Sequence, residues 1–134
     1  MPESHTELYA HLVWSTWDRM PILTYDIREK VFAAIAVKCR ELKCTPLAVG
    51  GIDNHVHVLV RFPATVSVAL LAQEIKGSSS HLITHVLKPG SAFRWQGAYA
   101  AYTIHNRDVE RVQGYIQNQE RHHAEKTLDL EWEG

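Results

Sequence analysis

Two histidines stand one residue apart in His55-Val56-His57, at the head of the β-forming run Val58-Leu59-Val60. Alternate side chains of a strand share a face, so His55 and His57 point one way while Val56, Val58, Val60 and Phe62 point the other. Two imidazoles above an apolar face make a platform for a divalent cation. A second constellation lies near the other end of the chain. Val109, Val112 and Ile116 recur at helical spacing. With roughly 100° of turn per residue, Tyr115 and Gln119 become adjacent, semi-exposed neighbours at the edge of that stripe. Arg111 precedes Tyr115 by one turn and His122 follows it by two. The resulting facet of Arg111, Tyr115, Gln119 and His122 carries a guanidinium, a phenol, an amide oxygen and an imidazole.

A tyrosine can act as a covalent nucleophile, but its phenol has a pKa of about 10 and is weak at neutral pH without help. Attack on a phosphodiester needs a cation that polarises the phosphoryl oxygens and steadies the leaving 3′-oxygen. His55 and His57 could hold that cation and Gln119 could add an oxygen, leaving positions open for phosphate and water. This donor set is neutral, so Mg²⁺ would bind weakly without the substrate phosphate, and Mn²⁺ accepts imidazole more readily. Taken alone, His-x-His is more often a pair of surface or core histidines. His81 and His85, four apart, read as a solvated helix face. His122 and His123 complement the dipole of the last helix, and His122 is also a candidate for the metal site. His11 and His105 receive no role. Trp14, Trp95, Tyr99 and Tyr102 read mostly as core.

The elements that must position these residues follow from periodicity. Tyr9, His11 and Val13 alternate with Leu8, Ala10, Leu12 and Trp14, which predicts a strand over 7–17 with both faces partly covered. Residues 25–42 have helical spacing, with Asp26 and Glu29 as a capping box. Strands at 45–52 and 55–62 flank the turn pair Asp53-Asn54 as a hairpin. A helix is predicted from about Val66 to Leu87, with Gly77-Ser78-Ser79-Ser80 as a kink, a packing notch or a close approach. Those serines, with Lys76, could also meet DNA phosphates. A strand over 98–104 and a helix from Asn106 or Asp108 to about His123 complete the chain. The order β-α-β-β-α-β matches an α+β, ferredoxin-like split βαβ fold with a four-stranded antiparallel sheet and two helices on one face. The final helix is an addition to it.

The 134 residues suit one domain over 1–134, with a core at about 7–123 and an acidic tail over 124–134. Hydrophobic and charged contents of 46% and 22% are those of a soluble protein. No apolar run reaches the roughly 20 residues of a membrane span. The opening residues lack a secretory pattern, and Cys39 and Cys44 read as reduced thiols, so a cytoplasmic protein is expected. The net charge of −1 excludes a strongly electrostatic DNA coat. Acids concentrate in residues 120–134, leaving a body of net +2 that permits a local basic groove.

With these residues in view, the chain resembles the single-tyrosine HUH transposases of the insertion sequence 200/605 family. His55-Val56-His57 is similar to their His-hydrophobic-His motif, and Tyr115-Ile116-Gln117-Asn118-Gln119 to their Tyr-x-x-x-Gln helix. His11-Leu12-Val13-Trp14-Ser15-Thr16, Lys76-Gly77-Ser78-Ser79-Ser80 and Phe93-Arg94-Trp95-Gln96-Gly97-Ala98-Tyr99 resemble further family segments. The resemblance implies a metal-dependent enzyme, using Mg²⁺ or Mn²⁺, that cuts and rejoins hairpin-bearing single-stranded DNA through a 5′-phosphotyrosine link. It implies Tyr115 as nucleophile, His55, His57 and Gln119 as metal ligands, and a homodimer in which Tyr115 serves its own or its partner's histidines. Lys76, Ser78, Ser79, Arg94 and Arg111 are its candidate DNA contacts. Asn54 replaces a common Asp, and Trp17-Asp18-Arg19 replaces a more basic stretch. The rival expectations are a domesticated protein that holds hairpins of repetitive extragenic palindromes without cutting, and a small metal-dependent phosphodiesterase.

Overall fold

The computed structural model describes residues 3–90, 92–120 and 123. Its strands are β1 (Tyr9–Ser15), β2 (Thr45–Gly51), β3 (His55–Arg61) and β4 (Ala100–Ile104), and its helices are α1 (Tyr25–Glu41), α2 (Val68–Leu82) and α3 (Val109–Gln117). The strands form one antiparallel sheet in the order β2-β3-β1-β4. This is the split βαβ arrangement expected from the element order.

Register assigns the two faces. Leu12 pairs with Val58 and Trp14 with Val56, so the even-numbered residues of β1 and β3 share a face. That face packs on α1 and α2 through Val31, Ile35, Leu71 and Ile75, all fully buried. The opposite face carries His11, Val13, His55, His57 and Leu59. There α3 lies across β2 and β3, and Val112, Tyr115 and Ile116 pack on Ala48 and Leu59 as a second, smaller core. The two helices of the fold thus cover one face, and the added helix covers part of the other.

Three local details differ from the sequence reading. The Gly77–Ser80 segment lies within regular α2, and the irregularity comes later, as a π-helical turn over Ile83–Leu87 closed by Lys88 in the left-handed region. Unpaired carbonyls at the helix end explain that position better than the weak helix propensity of serine. The residue preceding α1 is Thr24, not Asp26, and the Asp26 carboxylate accepts a hydrogen bond from the Thr24 hydroxyl. Finally, α3 ends at Gln117 where Asn118 breaks its phase (φ −112°, ψ 30°), and helical backbone resumes at Gln119 and Glu120. Among the described residues no helix is long and apolar enough to cross a membrane.

Candidate active site

The site forms where the odd face of the sheet meets α3. Antiparallel pairing sets Val13 opposite His57 and Ser15 opposite His55, while β4 brings Tyr102 opposite His11. Both His55 and His57 are buried. Their rings stand edge to face with centroids 5.0 Å apart. The Tyr115 ring stands edge-on to His57 at 6.0 Å. Gln119 places Oε1 3.2 Å from His55 Nε2 while its Nε2 donates to the Tyr115 carbonyl at 3.4 Å. One chain therefore brings the histidine pair, the tyrosine and the glutamine together.

Tyr115 and Gln119 are 9% and 2% exposed, not semi-exposed as helical arithmetic alone gives. The reason is close docking of α3. Gly50 of β2 lies beneath Ile116, and a Cβ there would collide with the Ile116 carbonyl oxygen and stand 3.1 Å from its Cγ2. Gly51 similarly allows the His55 carbonyl to approach. The Arg28 side chain, buried on α1, fixes the far end of this segment. Its Nε donates to the Leu23 carbonyl and its Nη1 to Glu120 at 2.6 Å.

Hydrogen bonds orient each imidazole. Asn54 Oδ1 lies 2.8 Å from His55 Nδ1, so a ring donating its Nδ1–H there presents the Nε2 lone pair to the Gln119 oxygen. His123 Nε2 stands 3.3 Å from the same atom. Lone pairs facing one another at this range repel unless a proton or a metal cation lies among them. A separation of 3.2 Å also suits adjacent ligands of a small octahedral cation with bonds of about 2.1 Å, whose edge is roughly 3 Å. His55, His57 and Gln119 fit a divalent ion by donor chemistry. They are two imidazoles and an amide, and among the described residues no group of three His, Cys, Asp or Glu side chains forms a metal cage. On the other ring, His11 Nε2 lies 2.9 Å from His57 Nδ1, and both side chains are fully buried. This contact engages His57 through Nδ1 and fixes the orientation of its ring.

Sequence reasoning missed three participants. His11 was left without a role, although the odd-numbered face of β1 could have placed it beside His57. His123 reaches His55, whereas the expected His122 lies outside the described residues. Asn54 makes the orienting contact itself.

The candidate DNA contacts have separate fates. Ser79 is fully buried. Its hydroxyl donates to the Ile75 carbonyl and accepts from Trp95 Nε1 at 3.1 Å, which removes it from any DNA-facing surface. Ser78 is half-buried. Lys76 donates to the Gln96 carbonyl at 2.8 Å, and burial holds its ammonium below the usual lysine pKa. Arg94 is exposed, with its guanidinium over Trp17. Arg111 is exposed, with its guanidinium 4.0 Å from the Asp108 carboxylate. Trp14 and Trp95 are core, as expected, and meet edge to face. His81 and His85 are exposed, with rings 4.6 Å apart.

Comparison with known proteins gives the family. The family model for IS200-like transposases matches residues 4–119. The chain belongs to the IS200-like transposase family. Among solved structures, a candidate transposase from Deinococcus radiodurans R1 superposes with a TM-score of 0.68 at 20% identity. That alignment covers 89% of this chain and 98% of the other. A REP-associated tyrosine transposase bound to a REP hairpin gives a TM-score of 0.64 at 18% identity, covering 88% and 72%. No curated protein sequence matches. The family membership identifies the chain as a DNA-processing transposase, and the two structural likenesses show the shared fold.

Proposed function

We propose that this transposase cleaves and rejoins hairpin-bearing single-stranded DNA, with Tyr115 as the nucleophile. The observation that carries the proposal is the meeting of Tyr115 with His57, and of Gln119 with His55, within one chain. The Tyr115 oxygen attacks the phosphorus as the phenolic proton leaves. The bond to the 3′-oxygen breaks, and that oxygen takes a proton to become a free 3′-hydroxyl. The DNA stays joined through a 5′-phosphotyrosine, and the reverse attack by a 3′-hydroxyl rejoins it. His55, His57 and Gln119 would hold Mg²⁺ or Mn²⁺, which supplies charge neutralisation at the phosphate. Asn54 and His11 hold the two rings in the orientations this requires.

Hairpin DNA is proposed as the substrate because the REP-associated relative was solved with one. Lys76, Ser78, Arg94 and Arg111 remain the proposed DNA contacts. The proposed assembly is a homodimer, for which β4 offers an edge of the sheet, and the proposed location is the cytoplasm. The contact of Tyr115 with His57 within one chain supports a reading in which it serves its own subunit's histidines.

The test is incubation with hairpin-bearing single-stranded DNA and Mg²⁺ or Mn²⁺. A denaturant-stable protein–DNA adduct is expected, lost in chelator and in Tyr115→Phe. An equal adduct yield in Tyr115→Phe would remove the tyrosine from the mechanism.

A further inference from the structure

Trp17 is one of the large apolar side chains left exposed among the described residues. It is 46% exposed, and the Arg94 guanidinium covers one ring face at 4.2 Å. The backbone fixes this arrangement on every side. Trp17 N–H donates to the Arg94 carbonyl at 2.8 Å, Thr16 N–H to the Asn54 carbonyl at 2.9 Å, and Thr16 pairs with Trp95 in an isolated bridge. Asp18 and Arg19 both hold positive φ, at 54° and 50°, which non-glycine residues seldom adopt. The Thr16 hydroxyl closes the turn by donating to the Met20 carbonyl at 2.7 Å. An aromatic ring on a strained, hydrogen-bonded turn is held rigidly with a face toward solvent.

Its position relative to the histidines is set by register. Ser15 is opposite His55, and Trp17 follows two residues later. At a rise of about 3.3 Å per residue, Trp17 begins roughly 7 Å beyond the level of His55. That is about two base rises of stacked nucleic-acid strand. An Arg-backed tryptophan is a platform for one flat, electron-poor ring, and an unpaired base can stack on it whatever its sequence.

We infer that Trp17, backed by Arg94, is a stacking subsite for one unpaired nucleobase within about two nucleotides of the phosphate at the active site. This rests on the proposed single-stranded DNA substrate and adds a defined contact to it. Arg94 supports the ring and does not itself need to touch phosphate.

The experiment measures binding of hairpin-bearing single-stranded DNA by the full Tyr115→Phe chain, so it does not depend on cleavage. Oligonucleotides carry a single abasic position, moved one nucleotide at a time along the unpaired strand. One position should weaken binding by about 5- to 150-fold in the parent chain. Trp17→Ala should weaken intact DNA by the same factor and become indifferent to that one abasic position. Trp17→Phe should restore most of the affinity and the sensitivity, which excludes general unfolding as the cause. Unchanged affinity in Trp17→Ala overturns the inference. So does a loss that leaves the abasic profile unaltered, as expected if Trp17 instead docks protein. A chain that shows the abasic pattern but forms no Tyr115 adduct in its native form would refute the cleavage reaction and leave the subsite standing.

Discussion

Replacing Gly50 with alanine tests whether α3 is seated by backbone contact. The added methyl would enter the space of the Ile116 carbonyl oxygen and also approach Ile116 Cγ2 at 3.1 Å. Relief to ordinary van der Waals separation requires α3 or β2 to move by roughly 1 Å, because packed interiors have no slack to absorb the atom. Tyr115 is the residue before Ile116, and its ring must keep its place against His57. A displacement of about 1 Å at a reacting group can cost about 100-fold in rate. Overpacking should also lower stability by about 1–3 kcal/mol. The assay is single-turnover adduct formation on hairpin DNA, with denaturant unfolding of the same preparation. Adduct formation should slow about 100-fold while the fold remains cooperative. Combining Gly50→Ala with Ile116→Val should not rescue the rate, since the main obstacle is a carbonyl and not a side chain. A rate within about twofold of the parent, with unaltered stability, would refute the argument that α3 is seated through Gly50.

Other consequences follow from the same contacts. His11→Leu removes the partner of the buried His57 Nδ1, so adduct formation and Mn²⁺ affinity should fall about 10- to 100-fold and stability by about 1–3 kcal/mol; Mn²⁺ titration by calorimetry on the folded variant checks the affinity separately from activity. Gln119→Glu adds a negative charge to a neutral donor set, so calorimetry should show Mg²⁺ affinity rising on the order of tenfold. Arg28→Met loses the bonds to Leu23 and Glu120, and denaturant titration should show a loss of about 1–3 kcal/mol. Burial pushes the Cys39 thiol from 9.0 up to about 12. The native state therefore keeps a proton that the unfolded chain releases, so stability should fall as pH rises through that window. Denaturant midpoints at about pH 8 and about pH 10.5 should differ less in Cys39→Val than in the parent.

The alternating pattern of β1 and β3 carried the sheet and the shared face of His55 and His57, because a period of two survives any tertiary packing. The pairing of Tyr115 with Gln119 was likewise legible, since an i,i+4 relation is internal to one turn and the next. What crosses between elements was not. His11 reaches His57 only through antiparallel register, and an analysis along one strand has no access to register. Burial of Tyr115 depends on α3 lying over Gly50, which a helical wheel does not contain. That His123 reaches His55 was not legible either, for a local reason. Asn118 interrupts the helical phase after Gln117, so an angle extrapolated through it loses its meaning. Ser79 misled because small polar residues serve equally as surface and as packing notches. The deciding partner, Trp95, lies 16 residues away.

The second core shows why Tyr115 and Gln119 are seated against the histidines of β3. An antiparallel sheet can leave one face to water, and two imidazoles on a wet face would be solvated and mobile. Covering that face with α3 removes the water, but it buries His11, His55, His57 and Gln119, whose polar atoms then need partners. The partners present are largely one another, with His11 on His57, Gln119 on His55 and Asn54 on the outer ring nitrogen. The orientation of each group is thus a condition for burying the next. Ile116 and Val112 supply the apolar contact that holds the cover in place, and Tyr115 rides on the same turn. Catalytic geometry and local stability are consequently coupled through α3. A change that frees the helix from β2 exposes the histidines and withdraws the tyrosine in one motion.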